Sequence, residues 1–488
     1  MSMSLVQNAN VPQPPVNYPQ RRIYIHKSTK NKSFLDMHYY LKSIGIKNND
    51  FMLALLDPDL AGVNPYDPSL SVYYKQKILR EVMSNYWYYL REVIRVPSPG
   101  GAPTHYQLNR ANLALNFLTT LSINTYLEVA RQLGKTTSVI IRYLYIYNFA
   151  TTNTKIAFLH KGLSGSRDNL QDLKNIRDLL PDYLQLKERP MGNGKVERGK
   201  DNTMQMINPF NGNNIMTFAG ATTQARAASI LRGKSLSMLW IDEVGFLQYN
   251  DIIYLNGAPA LNTAMKNSAK NGAPHGIIFT STPGFLSTPE GQFAYSIKEE
   301  ATPFSETWYD LTYPQLRQIL DANTKSDFVY VKFSYQELGM PESWYTDVCK
   351  LLKNSWPDIR REILLEWSNS VGNSPFNPDD LEMMRSYIKN PISVVYLLGK
   401  YRFETYLRAD TRTYPAIIGV DVSSGYKQDS STITVIDSQT TKVLGCMNCN
   451  FISPTDLARC IEFIVKNWMP NSIVCVERNV RGICIYVY

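Results

Sequence analysis

The sequence predicts an α/β chain: a domain built on a mainly parallel sheet, followed by a smaller domain with a mixed sheet. Three observations predict it. A Gly-Lys-Thr turn joins a short apolar strand to an apolar helix. The apolar run Ser235–Ile241 ends in Asp242-Glu243. Beyond Pro415, three strand-like segments, a helix and a fourth strand-like segment carry acids at the ends of the first and the fourth. Repeated βα units argue for a parallel sheet whose ligands sit at the strands' carboxyl ends.

The first element is Tyr126–Val129, a buried strand, and the helix that follows runs from Thr136 to Phe149. Between them, Ala130-Arg-Gln-Leu-Gly-Lys135 is a turn that aims backbone N–H groups at an anion, and the helix N-terminus adds partial positive charge. The context is that of a P-loop NTPase. Lys135 reaches the β- and γ-phosphates of ATP, and the Thr136 hydroxyl ligates Mg²⁺. Arg131, Gln132, Gly134, Lys135, Thr136 and Thr137 are the candidate nucleotide-binding residues here. The pattern departs from the full motif, which has a glycine five positions ahead of Gly134, where this chain has Val129.

A chain of 488 residues has room for two or three domains. Its 51 Lys+Arg against 42 Asp+Glu give a net charge of +9, compatible with a polyanionic partner without proving one. No run of about 18 apolar residues is present, which excludes a membrane-spanning helix. Residues 1–20, rich in Asn, Gln and Pro, lack the apolar centre of a signal peptide and read as a disordered tail.

Six cysteines without a secretory signal point to a reducing cytosol. Cys446-Met-Asn-Cys449 has metal-knuckle spacing, but it falls in a strand-like segment with no matching Cys or His pair after it. Structural, reduced cysteines are the favoured reading, with a metal site left open by Cys460, Cys475 and Cys484.

Residues 21–103 form a helical region, clearest over Ser71–Val96, that packs on the nucleotide-binding core of residues 104–300. Pro97-Ser-Pro-Gly-Gly-Ala-Pro103 breaks the pattern. Then comes Tyr106-Gln107. A glutamine amide both donates and accepts, so Gln107 can read an adenine edge, and Tyr106 can stack on the base; a surface glutamine is the plainer alternative. Lys155–His160 is the second strand, followed by a helix to about Leu180. Residues 188–215 are a surface loop or hairpin, and Asn214–Ala219 is a strand.

Ser235–Ile241 reads as a central parallel strand. Asp242 at its end can hold the Mg²⁺ of a bound nucleotide, and Glu243 can polarise the attacking water. Gly276–Thr280 is a further strand ending in Ser281-Thr-Pro-Gly284, with Thr280 and its neighbours beside the γ-phosphate. Residues 301–410, with a charged helical stretch over Trp344–Trp367, read as a lid and linker.

In residues 411–488, Ala416–Val420 leads to Asp421, with strands at Thr432–Ile436 and Lys442–Cys446. A helix capped by Ser453 runs to Trp468, and Ser472–Val476 ends in Glu477. This is the opening half of a ribonuclease-H-like fold, in which the first strand lies beside the fourth and brings Asp421 to Glu477. Paired carboxylates at adjacent strand ends suit two-metal phosphodiester hydrolysis with Mg²⁺ or Mn²⁺.

Taken together, these motifs resemble the large terminase subunit of tailed bacteriophages, the DNA-packaging motor, from about Trp87 to the C-terminus. Ala130–Thr136 looks like that family's deviant P-loop, and Tyr106-Gln107 falls where it keeps an adenine-reading glutamine. Arg232-Gly233 resembles the approach to its second ATPase motif. Thr280-Ser-Thr282 looks like its coupling motif. Gly419-Val-Asp421 with Asp429, and Val476-Glu-Arg-Asn479, look like its first two nuclease motifs.

The resemblance implies that Arg131 touches the γ-phosphate in cis. It also implies an ATP-driven ring of subunits on a capsid portal, with double-stranded DNA and the small terminase subunit as partners. The setting would be the host cytoplasm and, transiently, the procapsid. The family's nuclease domain continues further and supplies a third metal-binding Asp, whereas here the sequence stops 11 residues after Glu477 (488 − 477) with no acid following it. The expectation is an ATPase whose nuclease half is truncated and weak or inactive alone. Two other readings stay open: a helicase-like DNA translocase without a capsid partner, for which no second RecA-like repeat is visible, and an inactive fragment that only binds.

Overall fold

A computed structural model of the chain describes residues 24–191, 194–368, 383–384, 386–406, 415–423 and 430–477. The expected tail over residues 1–20, Asp429, Arg478 and Asn479 lie outside the described residues. The chain divides into two units, Met1–Ser374 and Pro375–Tyr488.

In the first unit, β1 (Tyr24–Ile25) with β2 (Ala54–Leu55) and β3 (Arg95–Val96) with β4 (Thr104–His105) are short ribbons. The main sheet takes β5 (Asn124–Val129) and β6 (Lys155–His160). A surface hairpin, β7 (Glu188–Pro190) and β8 (Val196–Arg198), precedes β9 (Gln205–Ile207). The sheet is completed by β10 (Asn214–Ala219), β11 (Met238–Asp242), β12 (Gly276–Ser281), β13 (Thr302–Pro303) and β14 (Phe328–Phe333). Its order is β13-β14-β5-β12-β11-β6-β10-β9, and β9 alone runs antiparallel to its neighbour. This is the mainly parallel sheet that the βα alternation predicts.

Two of its strands differ from expectation. Residues 301–333 read as part of a lid, yet β14 pairs with β5 over all six residues from Phe328↔Asn124 to Phe333↔Val129. The P-loop strand thus lies between β14 and β12.

Strand alternation sends side chains to two separate cores. Leu127, Val129 and Trp240 join one with Ile140 and Leu144 of the P-loop helix and with Phe34, Leu41, Ile78 and Val82 of the N-terminal helices (Lys32–Ser43 and Val72–Ser84). Tyr126, Leu239, Ile241 and Phe279 join the other, under the long helix Asn250–Lys270. The N-terminal region therefore completes a face of the α/β core, and the sheet is covered on both sides, as parallel sheets require. Among the described residues no helix is long and apolar enough to cross a membrane.

The second unit holds one six-stranded sheet. It is built from β15 (Ser393–Leu397), β16 (Tyr401–Thr405), β17 (Ala416–Asp421), β18 (Ser431–Asp437), β19 (Val443–Cys449) and β20 (Ile473–Val476), in the order β15-β16-β19-β18-β17-β20. β17, β18 and β19 are antiparallel, and β20 returns parallel to β17 after the helix Pro454–Asn467. Ser453 caps that helix, its side chain accepting from the Asp456 N–H. First strand beside fourth is the predicted ribonuclease-H-like arrangement. The hairpin β15–β16, which the sequence places in the linker, extends this sheet through β19.

Candidate nucleotide site and the paired acids

The turn after β5 is built by backbone conformation. Gly134 (φ 83°, ψ 11°) starts the helix Lys135–Tyr145 in the left-handed region, where a side chain is strained, and no side chain caps this N-terminus. The missing glycine at Val129 is met differently: Gln132, an exposed residue, takes the second left-handed position of the turn (φ 63°). Lys135, Thr136 and Thr137 are partly buried on the first helical turn. Burial lowers the Lys135 pKa, while Asp242 and then Glu243 oppose the shift and Arg131 adds to it. Its ammonium is therefore desolvated and sits within the field of both acids.

Asp242 ends β11 and Glu243 follows it, with β12 lying between that strand and the P-loop strand. Asp242 has the same strand parity as Trp240, on the face that carries the P-loop helix, and is 5% exposed. Its position is fixed by neighbours. Trp240 Nε1 donates to Thr280 Oγ1 at 2.8 Å, and Thr280 Oγ1 donates to Asp242 Oδ1 at 2.7 Å. The Glu243 N–H and Asn169 Nδ2 donate to the same carboxylate at 3.1 and 3.4 Å. Thr280, the residue the sequence places beside the γ-phosphate, is fully buried and acts on Asp242.

Glu243 adopts a left-handed backbone (φ 56°, ψ 46°), which swings its side chain away from the strand line. Lys161 Nζ lies 2.6 Å from Glu243 Oε2 and His160 Nε2 lies 3.7 Å from it, both from the end of β6. His160 Nδ1 accepts from the Gly162 N–H at 3.2 Å, so the ring proton sits on Nε2, facing Glu243. Burial raises the Glu243 pKa, but Lys161, His160 and Lys135 outweigh it and the net shift is downward. The motif reading did not single out Lys161 or His160, although both directly follow a strand predicted in the parallel sheet. Lys161→Met should raise the Glu243 pKa and move the acidic limb of the ATP-hydrolysis pH profile to higher pH. An unmoved limb would show that Lys161 does not set this carboxylate.

Arg131 is ion-paired in this structure and lies within the field of Lys135. Its Nε is 2.5 Å from Glu362 Oε2, at the end of the helix Trp356–Glu362. Thr282 Oγ1 donates to the same oxygen at 3.2 Å, and Arg361 holds Oε1 at 2.9–3.0 Å. The buried Glu362 is not recognisable from sequence, because Arg131 and Thr282, which share its Oε2, lie 80 or more positions away.

Tyr106 is a correction. The ring is 3% exposed and the hydroxyl is 2.8 Å from Ser138 Oγ on the P-loop helix, so the side chain offers no face to a base. Gln107 is exposed, with its Nε2 on His105 O at 2.9 Å. Its neighbour Asn109 donates to Leu133 O at 3.4 Å, which sets this segment against the phosphate turn.

In the second unit, β17 and β20 pair through Val420↔Val476, and the Glu477 N–H donates to Val420 O at 2.8 Å. Asp421 and Glu477 follow at neighbouring strand ends, both exposed. Among the described residues no group of three or more His, Cys, Asp or Glu is arranged to hold a metal ion. Cys446 and Cys449, three apart on β19, fall on opposite faces of the sheet and do not form one chelate.

Among solved structures, the chain is similar to large terminases. The large terminase of bacteriophage HK97 is 14% identical with a TM-score of 0.37, over 82% of this chain and 74% of that one. That of a thermophilic bacteriophage solved with ADP is 12% identical with a TM-score of 0.34, over 76% and 77%. The ATPase domain of the Thermus phage P74-26 large terminase is 14% identical with a TM-score of 0.35, over 54% and 94%. No family model and no curated protein matches the sequence.

Proposed function

We propose that the first unit hydrolyses ATP to drive DNA movement, as the motor subunit of a terminase-like packaging machine. The observation that carries this reading is the convergence of an uncapped, glycine-started helix N-terminus, a desolvated Lys135 and a buried Asp242 with Glu243 beside it. That set suits a triphosphate: backbone N–H groups and Lys135 for the phosphates, and Glu243 to orient water. The oxygen donors Thr136 and Asp242 suit a hard cation, and Mg²⁺ held there would neutralise charge on the β- and γ-phosphates. Gln107 is the candidate base reader.

In this reading, Thr282 and Glu362 pass a change at the end of β12 to the helix that precedes the second unit. The second unit grips double-stranded DNA, and the subunits work as a ring on a capsid portal, fed by a small terminase subunit, in the host cytoplasm. Asp421 and Glu477 are two of the ligands a two-metal nuclease needs.

The experiment is DNA-stimulated ATP hydrolysis alongside plasmid cleavage in Mg²⁺ or Mn²⁺, on the 488-residue chain. ATP turnover stimulated by duplex DNA, without cleavage, is expected. No turnover would overturn the motor reading, and cleavage lost in Asp421→Ala would mean that the two acids suffice or that another group replaces the third.

A further inference from the structure

The Tyr106 hydroxyl belongs to a chain of buried hydrogen bonds that ends on the phosphate turn. Tyr86 donates to Asn116 Oδ1 at 2.6 Å, Asn116 Nδ2 donates to the Tyr106 hydroxyl at 3.2 Å, and Ser138 Oγ donates to Gly134 O at 2.8 Å. Ser138 has one proton and spends it on Gly134, so across the 2.8 Å Tyr106–Ser138 contact Tyr106 is the donor. Every hydroxyl is then committed and the chain has a single sense. Tyr86, Tyr106, Asn116 and Ser138 are all buried. Burial raises the Tyr86 and Tyr106 pKa values, so both phenols keep their protons and the sense is preserved.

The same helix (Arg110–Thr120) holds the neighbouring segment. Asn112 Nδ2 donates to Gln107 O at 2.9 Å, one turn ahead of Asn116, and Asn109 reaches Leu133 O. The exposed Gln107 and the left-handed Gly134 are thus clipped to one rigid element at separate points. A shift of the Gln107 backbone is carried by Tyr106 and Ser138 to the carbonyl that starts the P-loop helix, because the Ser138 proton is held by Gly134 O and the Tyr106 proton by Ser138 Oγ.

We propose that Tyr106 is a positioning residue that couples the segment carrying Gln107 to Gly134, so that the base of a bound nucleotide sets the geometry of the phosphate turn. The proposal rests on the nucleotide-site reading above. Base identity then governs turnover as well as affinity.

The test is steady-state hydrolysis of ATP and GTP by the full chain and by Tyr106→Phe, Ser138→Ala and the double variant. Wild type should favour ATP over GTP in kcat. Tyr106→Phe should lower kcat for ATP by about tenfold and kcat for GTP by less than about twofold, leaving the KM ratio unchanged. Ser138→Ala should do the same, and the double variant should be no worse than either single one, since both cut the same chain.

Equal loss for both nucleotides, or additive losses, would make the role merely structural and overturn the proposal. So would a wild type with equal kcat values. If Tyr106→Phe does not fold, Ser138→Ala, which leaves Tyr106 and Asn116 paired, decides the question alone. A wild type that turns over neither nucleotide overturns the nucleotide-site reading itself, an outcome distinct from lost discrimination.

Discussion

Glu243→Gln should bind ATP and turn it over about 10²–10⁴-fold more slowly, the range a positioned general base contributes. The amide keeps the shape of the side chain and can still accept from Lys161, so the left-handed turn at residue 243 is retained while the charge that polarises water is lost. Lys135→Ala should differ in kind. It removes the cation that lies in the field of Asp242 and Glu243, so nucleotide affinity falls together with hydrolysis. Isothermal binding and single-turnover hydrolysis on both variants separate the two effects. A Glu243→Gln chain that hydrolyses at the wild-type rate would remove Glu243 from the chemistry.

The second large effect concerns a carboxyl that takes no part in that chemistry. Glu128 is fully buried on β5, directly ahead of the P-loop. Tyr330 of β14 donates to its Oε2, as does Trp367 Nε1 at 3.4 Å, while Lys332 and Lys298 supply positive charge nearby. Burial nevertheless wins and pushes the Glu128 pKa up to about 7 from 4.5.

A carboxyl whose pKa is raised by folding holds its proton more tightly in the native state. Its contribution is therefore fully present below pH 4.5 and is lost as the pH rises through about 7. The linked cost above that is about 3 kcal/mol. Glu128→Gln, neutral at every pH, should match wild type in stability near pH 4.5 and exceed it by up to that amount at pH 8. Urea unfolding at both pH values measures the difference, and a gap that does not change with pH would sink the argument.

What could be read from the sequence was local. Met238–Asp242 announces itself as an apolar run closed by an acid, and Gly134-Lys135-Thr136 as a strand-to-helix turn. The β17–β20 pairing follows from three strands, a helix and a strand, and these elements lie within three residues of their expected ends. Long-range partners were not readable. Phe328–Phe333 has the alternation of a strand, but nothing in it names β5 as a neighbour some two hundred positions back. Glu362 looks like one acid among several on a charged helix until Arg131, Thr282 and Arg361 are seen to converge on it.

Tyr106 carried a signal that was overlooked. Tyr106 and Leu108 alternate with the exposed Gln107 in an extended segment, which sends the tyrosine inward with the leucine. Glu128 carried one too, as a lone acid inside an apolar strand.

The pairing of β5 has a consequence for how the protein is made. β5 is flanked by β12 and β14, and by neither of the strands that directly follow it in the chain. A nascent chain that has just released Val129 must add about 150 further residues before Ser281 offers the first edge to pair with. At elongation rates of about 5–20 residues per second that interval is on the order of ten seconds. Throughout it the apolar segment Tyr126–Val129 waits without a sheet, and the phosphate turn has no rigid strand behind it. The second edge arrives only with Phe333. The strand behind the phosphate turn is therefore completed late in synthesis, and free chains truncated at successive lengths would gain amide-exchange protection over Tyr126–Val129 in a step between residues 281 and 333.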